Sequence, residues 1–266
     1  MKKKRLLPDI VSITPSNFDD FVQCERRFLN RHLLGLPASD PGPANANGLL
    51  AHDMLRLIHD GGSCRDTAHV TDILEGHGAD DDYVRQLVDR HATRCPSRES
   101  DSSAHEHTFA RFHKLPPPMF MATARIDAVW VHDGLLDARD YKTGKLWYDR
   151  VADVPAAKVQ AFVLAQAAHR RGLRLRLRYE FLSADVVDDP DPWEPDPEDL
   201  AAIEEQLRAA VERMSKTDDW KGVAEQNLCS HCVYRSICRD SVTKGEAAWP
   251  VLAARTDANP NPGRQR

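Results

Sequence analysis

The sequence predicts an α/β protein, a small mixed sheet with helices on both sides. Residues 123–144 hold two strand-like runs joined by Asp133-Gly134, a strong two-residue hairpin signal. Arg174, Arg176, Arg178 and Glu180 alternate with Leu175, Leu177, Tyr179 and Phe181, the period-two pattern of a half-buried strand with a basic outer face. Segments with helical periodicity and recognisable ends lie before, between and after these strands.

A first helix is expected over about 16–34. Ser16 and Asp19 fit a capping box, and Gly35 with Pro37 ends it. Its apolar face is Phe18, Phe21, Val22, Phe28 and Leu29, with Cys24 among them. A second helix, about 46–59, carries His52 and stops at Gly61-Gly62; a third runs over about 80–93. The polar run 96–104 reads as an exposed loop. After the hairpin, 156–171 is helical with Gly172 as its stop. The acidic, proline-rich stretch 185–199 reads as a linker. Asp196-Pro197-Glu198-Asp199 starts a last long helix, with Asp as cap and Pro at its first position. Leu200, Ile203, Leu207, Val211 and Met214 form that helix's stripe. Residues 1–11, with Lys2-Lys3-Lys4-Arg5, are expected to be a flexible basic arm, and 246–266 a disordered tail.

The 266 residues suffice for a real core, and no apolar run reaches the roughly 18–20 residues of a membrane helix. With no secretory signal, a cytoplasmic protein is expected, and the six cysteines are then metal ligands or free thiols, not a disulfide framework. The net charge of −5 argues against nucleic acid only on average, because 185–199 carries eight acids and no base. Without those eight acids the chain would be at +3, so the charge is segregated along the sequence. Of its 36 basic residues 26 are arginine, the side chain best matched to phosphate.

The hairpin carries the first chemistry. A two-residue turn pairs residues whose numbers sum to 267, so His132 faces Leu135, Val131 faces Leu136 and Asp127 faces Asp140. Asp140 and Lys142 share a face, and Asp127 joins them. Two carboxylates directly opposed across a strand pair repel unless a cation sits between them. Hard oxygen ligands suit Mg²⁺ or Mn²⁺, which activate water and offset charge on a phosphoryl group. A lysine beside them orients or deprotonates that water, or balances developing negative charge.

The second constellation is Cys229-x-x-Cys232 followed by Cys238. Three clustered thiols indicate a metal, and a tetrahedral site needs a fourth ligand. His231 is adjacent in sequence. The spacing leaves zinc and iron–sulfur both open. Cys64 and Cys95 show no partner pattern and read as ordinary thiols. Arg170, Arg171, Arg174, Arg176 and Arg178 form a third group, either a solvated face or a track for DNA phosphates leading to the metal site.

The residues 124–129 (Ala-Arg-Ile-Asp-Ala-Val) and 140–144 (Asp-Tyr-Lys-Thr-Gly) resemble the PD-(D/E)XK nuclease superfamily, in its RecB-type branch, and most the Cas4-like iron–sulfur exonucleases. Upstream, Gly48-Leu-Leu-Ala-His52-Asp-Met-Leu55 resembles the branch's Gly-x-x-x-His-x-x-Leu helix, whose histidine is a metal ligand; downstream, Val159-Gln160 resembles its Gln motif. Glu106 resembles an acidic position on the first core strand. Ala124 stands where Gly is usual, and Leu164 where a Tyr often follows the Gln; neither change removes a metal ligand. The resemblance covers about residues 12–240.

It implies a nuclease domain over 12–245. That domain would comprise a helical part, 12–60, with Cys24 and His52; a catalytic core, 105–182; and a C-terminal helix with the cysteine cluster, 196–240. It further implies that His52, Asp127, Asp140 and the Tyr141 carbonyl hold Mg²⁺ or Mn²⁺, that Lys142 assists the attacking water, and that Gln160 positions a ligand or meets DNA. The run Cys24-Glu25-Arg26-Arg27-Phe28 resembles the branch's Cys before an Arg-Arg-Phe run, so the resemblance completes the cluster as Cys24, Cys229, Cys232 and Cys238 around [4Fe–4S]. The lobe holding it would be formed by both chain ends. The expected activity is a metal-dependent DNA exonuclease acting on single strands or ends. A non-catalytic DNA-end-binding or scaffold module is the rival from another class, and the intact Asp127, Asp140 and Lys142 count against it. No Walker P-loop is present, so unwinding would fall to a partner: a helicase, or a CRISPR or recombination protein.

Overall fold

The computed structural model describes residues 10–37, 42–79, 81–96, 102–114, 118–144, 148–183, 186 and 188–243. Nearly all of the basic arm, and the whole 246–266 tail, lie outside the described residues. Five strands, β1 (Val11–Ile13), β2 (Ser102–His113), β3 (Phe120–His132), β4 (Leu135–Lys142) and β5 (Arg174–Phe181), form one mixed sheet. The helices are α1 (Pro15–Gln23), α2 (Glu25–Phe28), α3 (Gly42–Gly61), α4 (Thr67–Gly76), α5 (Asp82–Arg94), α6 (Pro155–Arg170), α7 (Pro197–Lys216) and α8 (Gln226–Ser230), with a π turn at Leu29–Leu33 and a 3-10 turn at Val151–Asp153. Among the described residues no helix is long and apolar enough to cross a membrane.

Within the sheet β2 runs antiparallel along one edge of β3. The other edge of β3 is shared: β1 pairs parallel with 120–122, and β4 pairs antiparallel with 128–132. β5 lies parallel beyond β4. The hairpin has the two-residue turn its sequence predicts. Asp133 (φ 49°) and Gly134 (φ 69°) are both left-handed, as a type I′ turn requires. His132 pairs with Leu135 and Val131 with Leu136, and the ladder ends at Ala128–Arg139. Past that point the two strands part. The Asp127 carboxylate accepts the Tyr141 N–H at 2.7 Å in place of a further ladder bond.

The chain divides into two compact units, Met1–Gln23 with Pro41–Asp219, and Cys24–Asp40 with Trp220–Arg266. In the first, α6 packs on β3 and β5 and is flanked by α1 and α7. It is buried nearly all round, and Gln160 is its one buried amide. Against the other face of the sheet, Leu55 and Ile58 of α3, Val70 and Leu74 of α4, and Leu87 and Val88 of α5 enclose Trp130, Ala128 and Tyr141. Trp130 is wholly buried, and truncating such a side chain costs about 3–5 kcal/mol. Asp66 and Asp81 cap α4 and α5, and Asp196 with Asp199 makes the capping box of α7.

The expected continuous helix over 16–34 is corrected. Thr14 and Asn17 cap α1 reciprocally: the Thr14 N–H donates to Asn17 Oδ1 (2.8 Å) and the Asn17 N–H to Thr14 Oγ1 (3.2 Å). The helix then breaks at Cys24, whose backbone is extended (φ −164°, ψ 106°). Residues 102–104 of the expected loop belong to β2, and α4 was not anticipated. The acidic stretch is also no free linker. Trp193 bridges Leu177, its indole donates to Asp199 at 3.0 Å, and Asp189 accepts from the Phe181 N–H at 2.8 Å.

In the second unit, two pieces distant in sequence are held together. The Arg26 N–H donates to the Lys221 carbonyl (3.0 Å), Phe28 stacks on Trp220 (centroids 5.6 Å apart), and the Tyr234 hydroxyl donates to the Leu36 carbonyl (3.0 Å).

Candidate active site and cysteine pocket

The parting of β3 and β4 creates the site. Strand alternation puts Asp127, Asp140 and Lys142 on the face of the sheet that carries Tyr179 and Phe181, since Asp140 is the Cα partner of Tyr179 and Lys142 of Phe181. Asp140 is held at both oxygens. Gln160 Nε2 donates to Oδ1 at 2.6 Å, and Lys142 Nζ pairs with Oδ2. Gln160 is itself fixed from behind, its Oε1 accepting the Tyr179 hydroxyl at 2.9 Å. Lys142 Nζ also lies 4.4 Å above the centre of the Tyr179 ring, a cation–π contact.

Asp127 meets His52 as well as Tyr141. His52 Nδ1 is 3.3 Å from Asp127 Oδ1, and its ring meets the Tyr141 ring edge-on at 5.7 Å. The glycine of the Gly-x-x-x-His run has a steric reason here. A Cβ on Gly48 would come 2.5 Å from Thr143 Oγ1, so any larger residue here would force the Thr143 side chain or α3 to shift.

The electrostatics are those of an anionic pocket. Burial raises the Asp127 carboxyl above its ordinary range and the Asp140 charge raises it further, against the opposing pull of His52 and the Tyr141 N–H. Burial alone would lower the Lys142 ammonium, but Asp140, Asp127 and Asp19 together hold it above its usual value. Burial likewise works against the charged form of His52, and Asp127 and Asp140 outweigh it, so its pKa is raised. Burial and then Asp140 push the Tyr179 hydroxyl well up, which keeps it a proton donor to Gln160. Two half-buried carboxylate groups with an imidazole beside them form a donor set that fits a hard divalent cation.

The pairs His105–Ala128 and His107–Ile126 place Glu106 of β2 at the register position opposite Asp127; its side chain lies outside the described residues. Tyr179 and Asp19 are contributors the sequence reading missed. The period of β5 sorts Tyr179 from the arginines, but only the pairing of β5 with β4 places it beside Asp140.

The arginines of the expected DNA track lie apart from the carboxylates. Arg176 and Arg178 are the Cα partners of Asp137 and Arg139, so their row occupies the face opposite Asp140 and Lys142. Arg174 and Arg176 both donate to Glu194 of the acidic stretch, and Arg178 donates to Asp137 at 3.2 Å. The fold pairs the charges that the sequence separates.

In the second unit Cys24, Cys229, Cys232 and Cys238 line one pocket, together with Arg26, Arg27 and Arg235. The thiol of Cys232 is raised first by burial, feels the negative potential of Cys24 and Cys238, and is opposed by Arg27. Four cysteines are the donor set of a metal or cluster bound as tetrathiolate, and Cys229 Sγ here lies 3.3 Å from the Val223 carbonyl. His231 is turned to other partners, its Nδ1 lying 2.9 Å from the Asn227 carbonyl and 3.0 Å from the Ser230 hydroxyl.

No curated protein matches the chain. Among solved structures, SSO0001 is 12% identical over 88% of each chain with a TM-score of 0.42. A putative exonuclease from Eubacterium rectale is 10% identical over 84% of this chain and 88% of its own, with a TM-score of 0.48. The sequence profile of the PD-(D/E)XK nuclease superfamily matches residues 12–239, nearly the whole described chain. With that match, and with the mixed sheet between helical layers that bears the carboxylates, the chain belongs to the PD-(D/E)XK nuclease superfamily, whose members use divalent metals.

Proposed function

We propose that the chain is a metal-dependent DNA exonuclease of the RecB-type, Cas4-like branch, cutting single strands or ends in the cytoplasm and carrying a structural [4Fe–4S] cluster. The observation that carries the reading is the pairing of Asp140 with both Gln160 and Lys142, beside Asp127 and His52, where β3 and β4 part. Asp127, Asp140, His52 and the Tyr141 carbonyl would hold Mg²⁺ or Mn²⁺, and a histidine ligand makes Mn²⁺ the more acceptable. Bound there, the cation supplies Lewis acidity toward water and the phosphoryl group.

The chain's own groups do the positioning. Gln160, anchored by Tyr179, fixes the orientation of the Asp140 carboxylate. The Asp127 carboxylate is fixed by the Tyr141 N–H. Lys142 Nζ stands at the rim of the pair, where it orients the attacking water and offsets charge gathering on the phosphate oxygens. A scaffold that only binds DNA ends needs none of this. A partner helicase, or a CRISPR or recombination protein, would deliver the single strand.

The cysteine pocket supports the cluster. Cys24, Cys229, Cys232 and Cys238 would hold it, and it would supply a cross-link between the two pieces of the second unit. Protein purified without oxygen should be brown, with iron and sulfide near four per chain. Cys24→Ser should lose the colour and the iron. A colourless protein with zinc at these cysteines would replace the cluster by a zinc site.

The activity test uses an end-labelled single-stranded oligonucleotide and a circular single strand, each with Mn²⁺, Mg²⁺ or chelator. Metal-dependent shortening of the linear strand with the circle intact is the expected result. Cutting of the circle would make the enzyme an endonuclease. Absence of cleavage under every metal would sink the nuclease reading.

A further inference from the structure

The geometry points to a second metal site, a structural zinc held by His59, Cys64, His91 and Cys95 beneath the active-site strand. Cys64 and Cys95, which read as unrelated thiols in the sequence, are both buried, and one ligand atom from each of the four residues lies within 4.8 Å of the others. His59 ends α3 and His91 ends α5. Each is followed by its cysteine in the next loop, as His59-x4-Cys64 and His91-x3-Cys95.

The ring contacts fix which nitrogens are available. His59 Nδ1 is 2.7 Å from the Leu55 carbonyl, an acceptor only, so Nδ1 carries the hydrogen. His91 Nδ1 is 2.7 Å from Glu180 Oε1 and carries its hydrogen there. In the neutral rings that a metal requires, the Nε2 atoms turn their lone pairs inward. They stand 3.3 Å apart, and His59 Nε2 is also 3.2 Å from Cys95 Sγ. One lone pair on His59 faces both a second ring nitrogen and a thiol, an arrangement that a single cation at the centre satisfies. For Zn–N bonds of about 2.0–2.1 Å, a tetrahedral site separates its two nitrogens by about 3.3–3.4 Å.

Charge and surroundings agree. Two thiolates and two neutral imidazoles around Zn²⁺ sum to zero, which suits a place where His91 has no solvent exposure. A carboxylate behind the histidine is the usual partner of a zinc-bound ring, and Glu180 is held in turn by Arg139 at 3.1 Å. The spacing is too tight for a two-iron cluster, whose histidines and cysteines sit on different irons. Four protein ligands leave no open position, so the site is structural. It would fasten the ends of α3 and α5 under β4. The Tyr141 ring meets His91 at 5.0 Å and His52 at 5.7 Å, so this fastening supports the helix that presents His52.

The test is metal content of the full-length protein, purified without oxygen, together with zinc-edge X-ray absorption. One zinc per chain with two nitrogen and two sulfur neighbours is expected. Cys64→Ser with Cys95→Ser should lose that equivalent and keep its iron, while Cys229→Ser should lose iron and keep the zinc. If the other four cysteines hold zinc instead of a cluster, the wild type carries two zincs and each variant loses one, so the two readings fail separately. Should the double variant not fold, the wild-type spectrum decides. No zinc, an all-sulfur zinc shell, or a Cys64–Cys95 disulfide in the unreduced protein overturns the proposal, as does a double variant that holds as much zinc as the wild type.

Discussion

Gln160 donates to Asp140 across 2.6 Å while Tyr179 donates to Gln160 across 2.9 Å, so one buried amide ties the Asp140 carboxylate to the neighbouring strand β5. Gln160 is the only polar residue α6 buries, and both ends of its amide are used. In the proposed nuclease site it would act through Asp140, as a positioning residue.

Gln160→Glu should therefore impair cleavage without unfolding the protein. The Tyr179 hydroxyl can still donate to the new side chain, but the donor to Asp140 becomes a second carboxylate. The Mn²⁺ concentration for half-maximal cleavage should shift. Gln160→Leu should in addition lower stability by about 1–3 kcal/mol, because it leaves the buried Tyr179 hydroxyl unpaired. Tyr179→Phe should affect the metal response less than either. Equal metal responses in all three and the wild type would remove Gln160 from the site.

Gly48 and Thr143 should be energetically coupled. Gly48→Ala places a Cβ 2.5 Å from Thr143 Oγ1, which pushes α3 and His52 away from Asp127. Cleavage should fall. Adding Thr143→Ala removes the clashing hydroxyl and should restore most of it, with an interaction energy in the range of about 0.5–3 kcal/mol for residues in contact. Independent effects of the two changes would mean that α3 is not positioned by this approach.

The hairpin was readable because its signals are local. Asp133-Gly134 dictates the turn, the turn dictates the register, and period two then sorts Asp127, Asp140 and Lys142 onto one face. The same rule applied to β5 would have set Arg176 and Arg178 on the opposite face, but the strand neighbour of β5 was unknown from sequence. The break at Cys24 was hidden because apolar periodicity runs across it. The His59 and Cys64 pair was hidden for another reason: a metal site assembled from the ends of two helices has no single dense motif, only two loose His–Cys spacings 32 residues apart. The acidic stretch misled because charge counted along a chain says nothing of what it folds against.

Arg174 and Arg176 should contribute little to DNA affinity. Both are paired with Glu194, on the face away from Asp140. Replacing both with Gln should leave the salt dependence of binding to single-stranded DNA unchanged, whereas two real phosphate contacts would reduce the slope by about two units. Binding measured across a salt series on a catalytically inactive background decides this.

The two aspartates should differ in stability and agree in activity. Asp140 is neutralised by Lys142 and bonded by Gln160, whereas Asp127 is more deeply penalised: burial and the neighbouring Asp140 charge both disfavour its ionised form. Asp127→Asn keeps an oxygen for the Tyr141 N–H and removes the repulsion, so the metal-free protein should melt at the same temperature or higher. Asp140→Asn leaves the half-exposed Lys142 ammonium without its partner and should cost about 1 kcal/mol after solvent screening. In the proposed site each variant would lose a charged oxygen ligand, so Mn²⁺ affinity and cleavage should collapse together. Lys142→Ala keeps both carboxylates, so it should still bind Mn²⁺ while cleavage falls by about 10²–10⁴-fold, the usual worth of a positioned proton-transfer group. His52→Ala should weaken Mn²⁺ binding more mildly, since water can take its place. The measurements are melting without metal, Mn²⁺ titration and cleavage rate for all four variants. Full cleavage by Asp127→Asn would refute the paired-carboxylate site, and a Lys142→Ala variant that no longer binds Mn²⁺ would show that the lysine holds the site together instead of serving the reaction.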